Sequence, residues 1–439
     1  MNIRFYNARI LTMAEPIDVF MGELLTEGNK IAFVGDAAAA KQYLEEREKA
    51  GKKLSLEREI DCKANLIMPG FKNAHTHSGM TFLRSIADDM PLLDWLHKQI
   101  FPREDLVTAE DLIPLTKLAN LEYLTSGITA CFDMYLDNDA VAEACEETGM
   151  RCVQVGGIND FTSDYTKVER AYLKLNTDKE SLNSYVIGFH AEYTTSEERL
   201  HYIADLAKKY KAPVYAHNSE TYEEVCSCKE HTGGLTPTQY LDSLGIYDYG
   251  GGGYHCVYMD DKDIEIFKKH KLSIVTNPAS NLKLASGIAP VDRFVKEGIN
   301  VAIGTDGPAS NNCLDFFREM FLVTGLSKVR EKDAAVMDAN DVLRMATVGG
   351  AKAMFLDDCD ILAEGKKADL IMIDLNQPNM QPINNITKNI VYAGSKQNVA
   401  LTMINGKILY EKGEFNLGED VEGIYAKVTA IRDRIIAAT

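Results

Sequence analysis

Between about residue 67 and residue 350, short apolar runs alternate with stretches whose apolar residues recur every three or four positions. The runs are LIMPGFKNAHTH, ITACFDMY, CVQVGGI, YVIGFHAEY, PVYAHNSE, GYHCVYM, SIVTNPAS and VAIGTDG, with helical segments such as SEERLHYIADLAKKY between them. Apolar runs of that length suit strands buried on both faces of a parallel sheet, and the intervening period suits crossover helices. Eight such units predict an α/β fold, a closed (β/α)8 TIM barrel. An open doubly wound sheet has no reason to stop at eight, and no GxGxxG turn follows the first strand.

Both ends of the chain read differently. Residues 1–66 break into short strands (IRFYNARILTM, GELLTEGN, KIAFVG, REIDCKANLIMPG), and the β pattern returns in 360–439 with KADLIMIDL and VALTMINGKILY, where Asn-Gly signals a hairpin. Neither piece has enough strands to bury a core alone. The expectation is a composite β-sandwich domain from 1–66 and 360–439 beside a barrel over 67–359, closed by a helix near VEGIYAKVTAIRDRII.

A formal charge of −18 and the absence of a strong Lys/Arg cluster argue against nucleic acid as a partner. No apolar stretch is long enough to span a bilayer, and MNIRFYNARILTM alternates like a strand instead of reading as a signal peptide. The nine cysteines lack a CxxC pair and mostly sit in apolar runs, as reduced thiols of a cytoplasmic protein do. Cys226 and Cys228 form a CxC pair, read as free thiols with metal binding as the alternative. Homo-oligomerisation is the default expectation for such a chain.

The barrel's strand ends carry the chemistry. His75 and His77 stand two apart at the end of the first strand, so the strand's period points both imidazoles the same way. His190, His217, His255 and Asp306 recur at the ends of strands four, five, six and eight, the face on which barrels build active sites. Buried polar groups at this density are costly unless paired or metal-bound, and imidazoles with one carboxylate suit a divalent ion. Zn2+ is the first expectation, with Fe2+ or Mn2+ able to use similar ligands. Glu220, three residues after His217, is the candidate general acid/base; a solvated glutamate at a helix start is its bland alternative.

These residues resemble the amidohydrolase superfamily, and within it the 5'-methylthioadenosine/S-adenosylhomocysteine deaminase family. The resemblance runs over nearly the whole chain, through PGFKNAHTHSGMTFLRSIADDMPLLDWL, HAEYTTSEE, AHNSE, the strand around His255 and TDGPASNNCLDFFREM. It implies a single divalent metal held by His75, His77, His217 and Asp306, with Glu220, His255 and Asp306 serving the chemistry. It further implies that Glu104, in FPREDL, is similar to the family's ribose-binding carboxylate and His190 to its purine-contacting histidine. No lysine ends strand four, so the chain is similar to the mononuclear members, and the His-x-Glu/Pro-Cys-x-x-Cys deaminase signature is absent.

The implied reaction is hydrolytic deamination of a small purine nucleoside: adenosine, 5'-deoxyadenosine, methylthioadenosine or S-adenosylhomocysteine. Members accepting the last resemble one another in an arginine just after strand three, where this chain has Gly156 and Gly157; Lys167 and Arg170 are nearby substitutes. Residues 78–101 are too long for an ordinary loop, which predicts a cover or an oligomer contact, with Trp95 packing in it or stacking on a base. Gly250 to Gly253 has no following Lys-Ser/Thr and reads as a flexible approach to strand six. Two other readings stand beside the first: guanine deamination or a related base or pterin aminohydrolase, with triazine dechlorination more remote, and a barrel that serves only as an inactive scaffold.

Overall fold

The computed structural model describes residues 1–86 and 88–439, with Leu93 described by its backbone alone. Ala87, within the 78–101 segment, lies outside the described residues. Eight parallel strands run Phe71–Thr76, Ile128–Asp133, Arg151–Val155, Asn183–Ala191, Val214–Asn218, Gly251–His255, Ser273–Thr276 and Asn300–Ile303, in sequence order around a barrel. Every expected strand is present. The seam between the first and eighth strands is closed through Asn73, whose amide donates to Thr305 Oγ1 at 2.7 Å and whose Oδ1 accepts the Thr305 N–H at 2.8 Å.

The strands' alternation explains the barrel interior. Phe132, Val153, Val155, Tyr215, Tyr254 and Val275 point inward into one buried cluster, which Ala353 and Met354 reach from the end of a short helix. Tyr215 donates its hydroxyl to the Ala353 carbonyl at 2.8 Å, so the ring keeps its polar end satisfied. Full burial of each large side chain contributes roughly 1.5–3 kcal/mol. The glycine run at strand six is part of the strand itself: a Cβ on Gly251, at φ +124°, would stand 1.9 Å from the Val214 carbonyl. These glycines permit close strand contact, a tighter role than the flexible approach expected of them.

The two chain ends share one mixed sheet of nine strands, in which Ile3–Leu11 pairs with Val19–Glu27 and Leu66–Pro69, and Leu66–Pro69 pairs in turn with Leu370–Ile373. It buries its own core, including Phe5, Ile10, Leu24, Leu370, Leu401 and Met403. The chain passes from this sheet into the barrel at Gly70, between Leu66–Pro69 and Phe71–Thr76. The C-terminal helix Val421–Ala438 packs against barrel helix Ala109–Thr125 through Ile424, Val428, Ile431 and Ile435, a single stripe of helical period. Among the described residues no helix is long and apolar enough to cross a membrane.

Candidate active site

The C-terminal ends of the barrel strands bring His75, His77, His217, His255 and Asp306 together. His75 meets His77 and His217 edge to face, with ring centroids 4.8 and 4.9 Å apart, and stacks on Tyr254 at 3.8 Å. Asp306 Oδ1 lies 3.2 Å from His77 Nε2 and 3.6 Å from His75 Nε2, while its Oδ2 lies 3.8 Å from His255 Nε2. His77 Nδ1 donates to the Met134 carbonyl and His217 Nδ1 to the His190 carbonyl, both at 2.6 Å. Those backbone bonds fix both rings and leave each Nε2 for the cluster.

His75 is wholly buried, and neither of its ring nitrogens has a hydrogen-bond partner. Leaving buried polar atoms unsatisfied costs about 1–3 kcal/mol each. Burial, reinforced by the neighbouring imidazoles, holds His75 and His217 well below the ordinary histidine range, so both are neutral. Burial opposes ionisation of Asp306, but the His77 hydrogen bond and the surrounding imidazoles hold it well below the usual carboxylate range. These two neutral imidazoles beside an ionised carboxylate fit a divalent cation, whose binding would displace the proton that the Asp306 carboxylate, against burial, holds on His77 up to about 9.

The backbone is held in unusual conformations here. Ser219, His255, Cys256 and Asp306 all have left-handed φ, from +50° to +68°. Such positions cost about 1–3 kcal/mol each and persist where surroundings over-determine them. At Asp306 the determinants are visible: its N–H donates to the His75 carbonyl at 3.0 Å, and its Oδ1 accepts the Gly307 N–H at 2.7 Å.

Glu220 is buried at the turn before helix Tyr222–Thr232, not solvated at a helix start. Its Oε1 accepts the Ser286 hydroxyl at 3.1 Å and lies 3.8 Å from His255 Nδ1. Burial raises its pKa above the usual carboxylate range, which suits a group that must carry a proton. Glu224 holds the turn by accepting the Ser219 and Glu220 N–H groups at 2.8 and 2.7 Å.

His77, His217, His255, Asp306 and Glu220 open onto a cavity of about 600 Å³ that His190, Trp95 and Glu104 also line. That volume lies within the range of small-molecule sites. Helical residues Leu92–Trp95, Leu96–Ile100 and Phe101–Glu104 follow one another along one wall of the cavity and cover it there. Arg84 anchors the 78–101 segment, donating to Glu122 Oε2 at 2.6 Å and to the Asn312 carbonyl at 2.9 Å. Trp95 is 5% exposed and lines the cavity. Burial pushes Glu104 up to about 6, against the pull of the neighbouring Tyr135 phenol. His190 Nδ1 bonds Thr194 Oγ1 at 2.8 Å, and burial pushes this imidazole down to about 4.

Several contributors escaped the sequence reading. Strand seven carries no histidine, yet the segment after it supplies Ser280, which donates to Asp306 Oδ2 at 2.6 Å, and Asn281, which accepts from His255 Nδ1 at 2.7 Å. Ser286 reaches Glu220 from the same segment. The only signal was position: every βα loop on this face borders the site. Lys167 lines the cavity, whereas Arg170 turns outward to Asp164 at 2.7 Å.

Comparison with known proteins agrees with this geometry. The amidohydrolase family model matches residues 66–409. A 5-methylthioadenosine/S-adenosylhomocysteine deaminase of Caldanaerobacter subterraneus subsp. tengcongensis is 39% identical over 435 residues, covering 98% of this chain and 97% of its own. A 5'-deoxyadenosine deaminase of Methanopyrus kandleri is 38% identical over 408 residues, covering 91% and 92%. The crystal structure of an adenosine deaminase from Xanthomonas campestris with bound zinc superposes with a TM-score of 0.92 at 29% identity, covering 99% of each chain. The chain belongs to the amidohydrolase family.

Proposed function

We propose that this protein is a metal-dependent deaminase that converts an adenine nucleoside and water to the inosine analogue and ammonia. The observation that carries the reading is one cavity that joins the buried histidine–aspartate cluster and Glu220 to a carboxylate, Glu104, on the covering helix. Such a carboxylate can accept from the hydroxyls of a sugar, which a free base lacks. The relatives named as methylthioadenosine, S-adenosylhomocysteine and 5'-deoxyadenosine deaminases support the same substrate class.

His75, His77, His217 and Asp306 would hold one divalent metal, with Zn2+ first among candidates and Fe2+ or Mn2+ able to replace it. Bound there, such an ion supplies Lewis acidity that lowers the pKa of water from 15.7 to about 7. Asp306 Oδ2 and His255 Nε2, 3.8 Å apart, orient the attacking water and take its proton. Glu220 protonates a ring nitrogen of the purine, making the amino-bearing carbon electrophilic; the amino group leaves as ammonia with the proton taken from the water, and the adduct's hydroxyl proton returns to Glu220. His190 contacts the purine, Glu104 accepts from the ribose hydroxyls, and Trp95 packs in the cover against the substrate.

The test is ammonia release by zinc-loaded protein on adenosine, methylthioadenosine, S-adenosylhomocysteine, 5'-deoxyadenosine and guanine. Turnover of the adenosines is expected. Turnover of guanine alone would end the nucleoside assignment, and a fully metal-loaded protein inert on all five would favour a scaffold.

A further inference from the structure

Of the two cysteines of the CxC pair, Cys228 faces a cluster of possible ligands away from the cavity. Glu192, in the turn Glu192–Thr194 after strand four, faces Cys228 and His231 on helix Tyr222–Thr232. One ligand atom from each of the three lies within 4.8 Å of those of the other two. We propose that Glu192, Cys228 and His231 form a second metal site, for a zinc-class divalent ion, distinct from the catalytic cluster.

Three observations carry it. Cys228 and His231 are three apart on one helix, so they share a face, and a thiolate with an imidazole and a carboxylate is a donor set that zinc favours. His231 Nδ1 bonds the Ser227 carbonyl at 2.8 Å, which turns Nε2 toward Glu192 Oε1 at 2.9 Å. Glu192 is 4% exposed, and its other oxygen, Oε2, is enclosed without any hydrogen-bond partner. Besides the ion pair with His231, the carboxylate has only the Cys228 thiol, a weak donor for a buried charged oxygen. A metal satisfies it.

None of the three residues lines the catalytic cavity, and no cysteine does among the described residues. His231 is about half exposed, so the site opens to solvent at the imidazole, where a water completes a four-coordinate shell. Binding forms metal–Sγ, metal–Nε2 and metal–carboxylate bonds and releases two protons, the Cys228 thiol's and the one His231 shares with Glu192. Burial pushes the Cys228 thiol up to about 12, so metal affinity climbs as pH rises. The bound ion would pin the turn two residues beyond His190 to the helix that begins just after Glu220, joining two segments that border the catalytic cavity.

The test uses the full-length protein loaded with Co2+, because only a cysteine ligand gives the near-ultraviolet thiolate-to-cobalt charge-transfer band. Wild type is expected to show the band and to hold roughly one equivalent more zinc than Cys228→Ser. Cys226→Ser should keep the band, while His231→Asn, at the exposed end where folding is not at stake, should weaken cobalt binding by about 10-fold or more. Absence of the band in cobalt-saturated wild type, its persistence in Cys228→Ser, or its loss only in Cys226→Ser would overturn the site. Deaminase activity plays no part in this readout.

Discussion

His75 and Asp306 meet twice: the Asp306 N–H donates to the His75 carbonyl at 3.0 Å, and the Asp306 carboxylate lies 3.6 Å from His75 Nε2. The first contact closes the barrel between its first and last strands, and the second belongs to the cluster at its mouth. In the proposed site, metal binding and barrel closure would therefore be coupled through one residue. Asp306→Asn keeps the backbone bond but removes the charge, so it should lose bound metal and turnover while remaining folded. A ligand present at 1,000 times its Kd stabilises by about 4 kcal/mol. A chelator should thus lower the wild-type melting temperature by several degrees and leave Asp306→Asn nearly unmoved; equal shifts in both would separate the carboxylate from the metal.

Glu220 is the proposed proton donor, held by Ser286 and close to His255. Glu220→Gln preserves shape and hydrogen bonding but has no proton of suitable acidity to give. Turnover is expected to fall roughly 10²–10⁴-fold, the usual contribution of a general acid/base group, with metal content unchanged. Near-wild-type ammonia release from the metal-loaded variant would remove Glu220 from the mechanism.

As the proposed sugar contact, Glu104 would link substrate affinity to pH. Burial raises its pKa to about 6, and only the ionised form accepts from two sugar hydroxyls. Nucleoside binding should therefore be strongest well above that value and weaken as pH falls through it. KM for methylthioadenosine should rise below about pH 6 in wild type, and Glu104→Gln should remove that component of the profile. Loss of a charged hydrogen bond worth about 1.5–3 kcal/mol should raise the variant's KM roughly 10–100-fold at neutral pH. A profile identical in the two proteins would exclude a sugar contact for Glu104.

Lys167 is the one lysine or arginine on the cavity wall among the described residues, and its Nζ donates to the Leu136 carbonyl at 3.2 Å. It stands where a nucleoside with a charged 5' tail could find a partner, since Gly156 and Gly157 offer none. Lys167→Met should lower kcat/KM for S-adenosylhomocysteine by about 10-fold, equivalent to 1.4 kcal/mol, and leave methylthioadenosine unaffected. A parallel loss on both substrates would assign the lysine to packing instead of tail recognition.

The sequence carried the architecture well because eight apolar runs with helical spacers admit few folds, and because buried His and Asp stand out against Val, Ile and Ala at strand ends. Glu104 was different: on an exposed-looking helix start it has no pattern of its own, and family resemblance alone pointed to it. Asn281 and Ser280 were illegible because a small polar residue in a loop looks the same whether it orients His255 and Asp306 or faces water. The distinction lies in the loop's path, which the strand period does not specify. Cys228 shows the same limit: His231 follows it on one helix, but Glu192, the third member of the proposed site, comes from a separate turn that only the fold brings alongside.

The junction between barrel and terminal sheet makes a separate prediction about stability. Arg151, in the third barrel strand, forms a two-pronged pair with Asp369, Nε to Oδ2 at 2.7 Å and Nη2 to Oδ1 at 3.0 Å, and both are buried. Asp369 Oδ1 also accepts the Asn405 N–H at 2.7 Å, so the carboxylate binds the barrel to the terminal sheet's hairpin. Removing one member of such a pair leaves the other charge buried, at a cost of about 3–5 kcal/mol, whereas replacing both by apolar groups is often close to neutral. Asp369→Asn should therefore destabilise more than the double variant Arg151→Met/Asp369→Leu, whose residual loss reflects the orphaned Asn405 N–H. Chemical denaturation of the metal-loaded proteins measures both. Neither residue lines the catalytic cavity, so kcat/KM of the folded variants should stay at the wild-type value. A double variant less stable than Asp369→Asn would mean that the pair contributes net stability beyond offsetting its own desolvation.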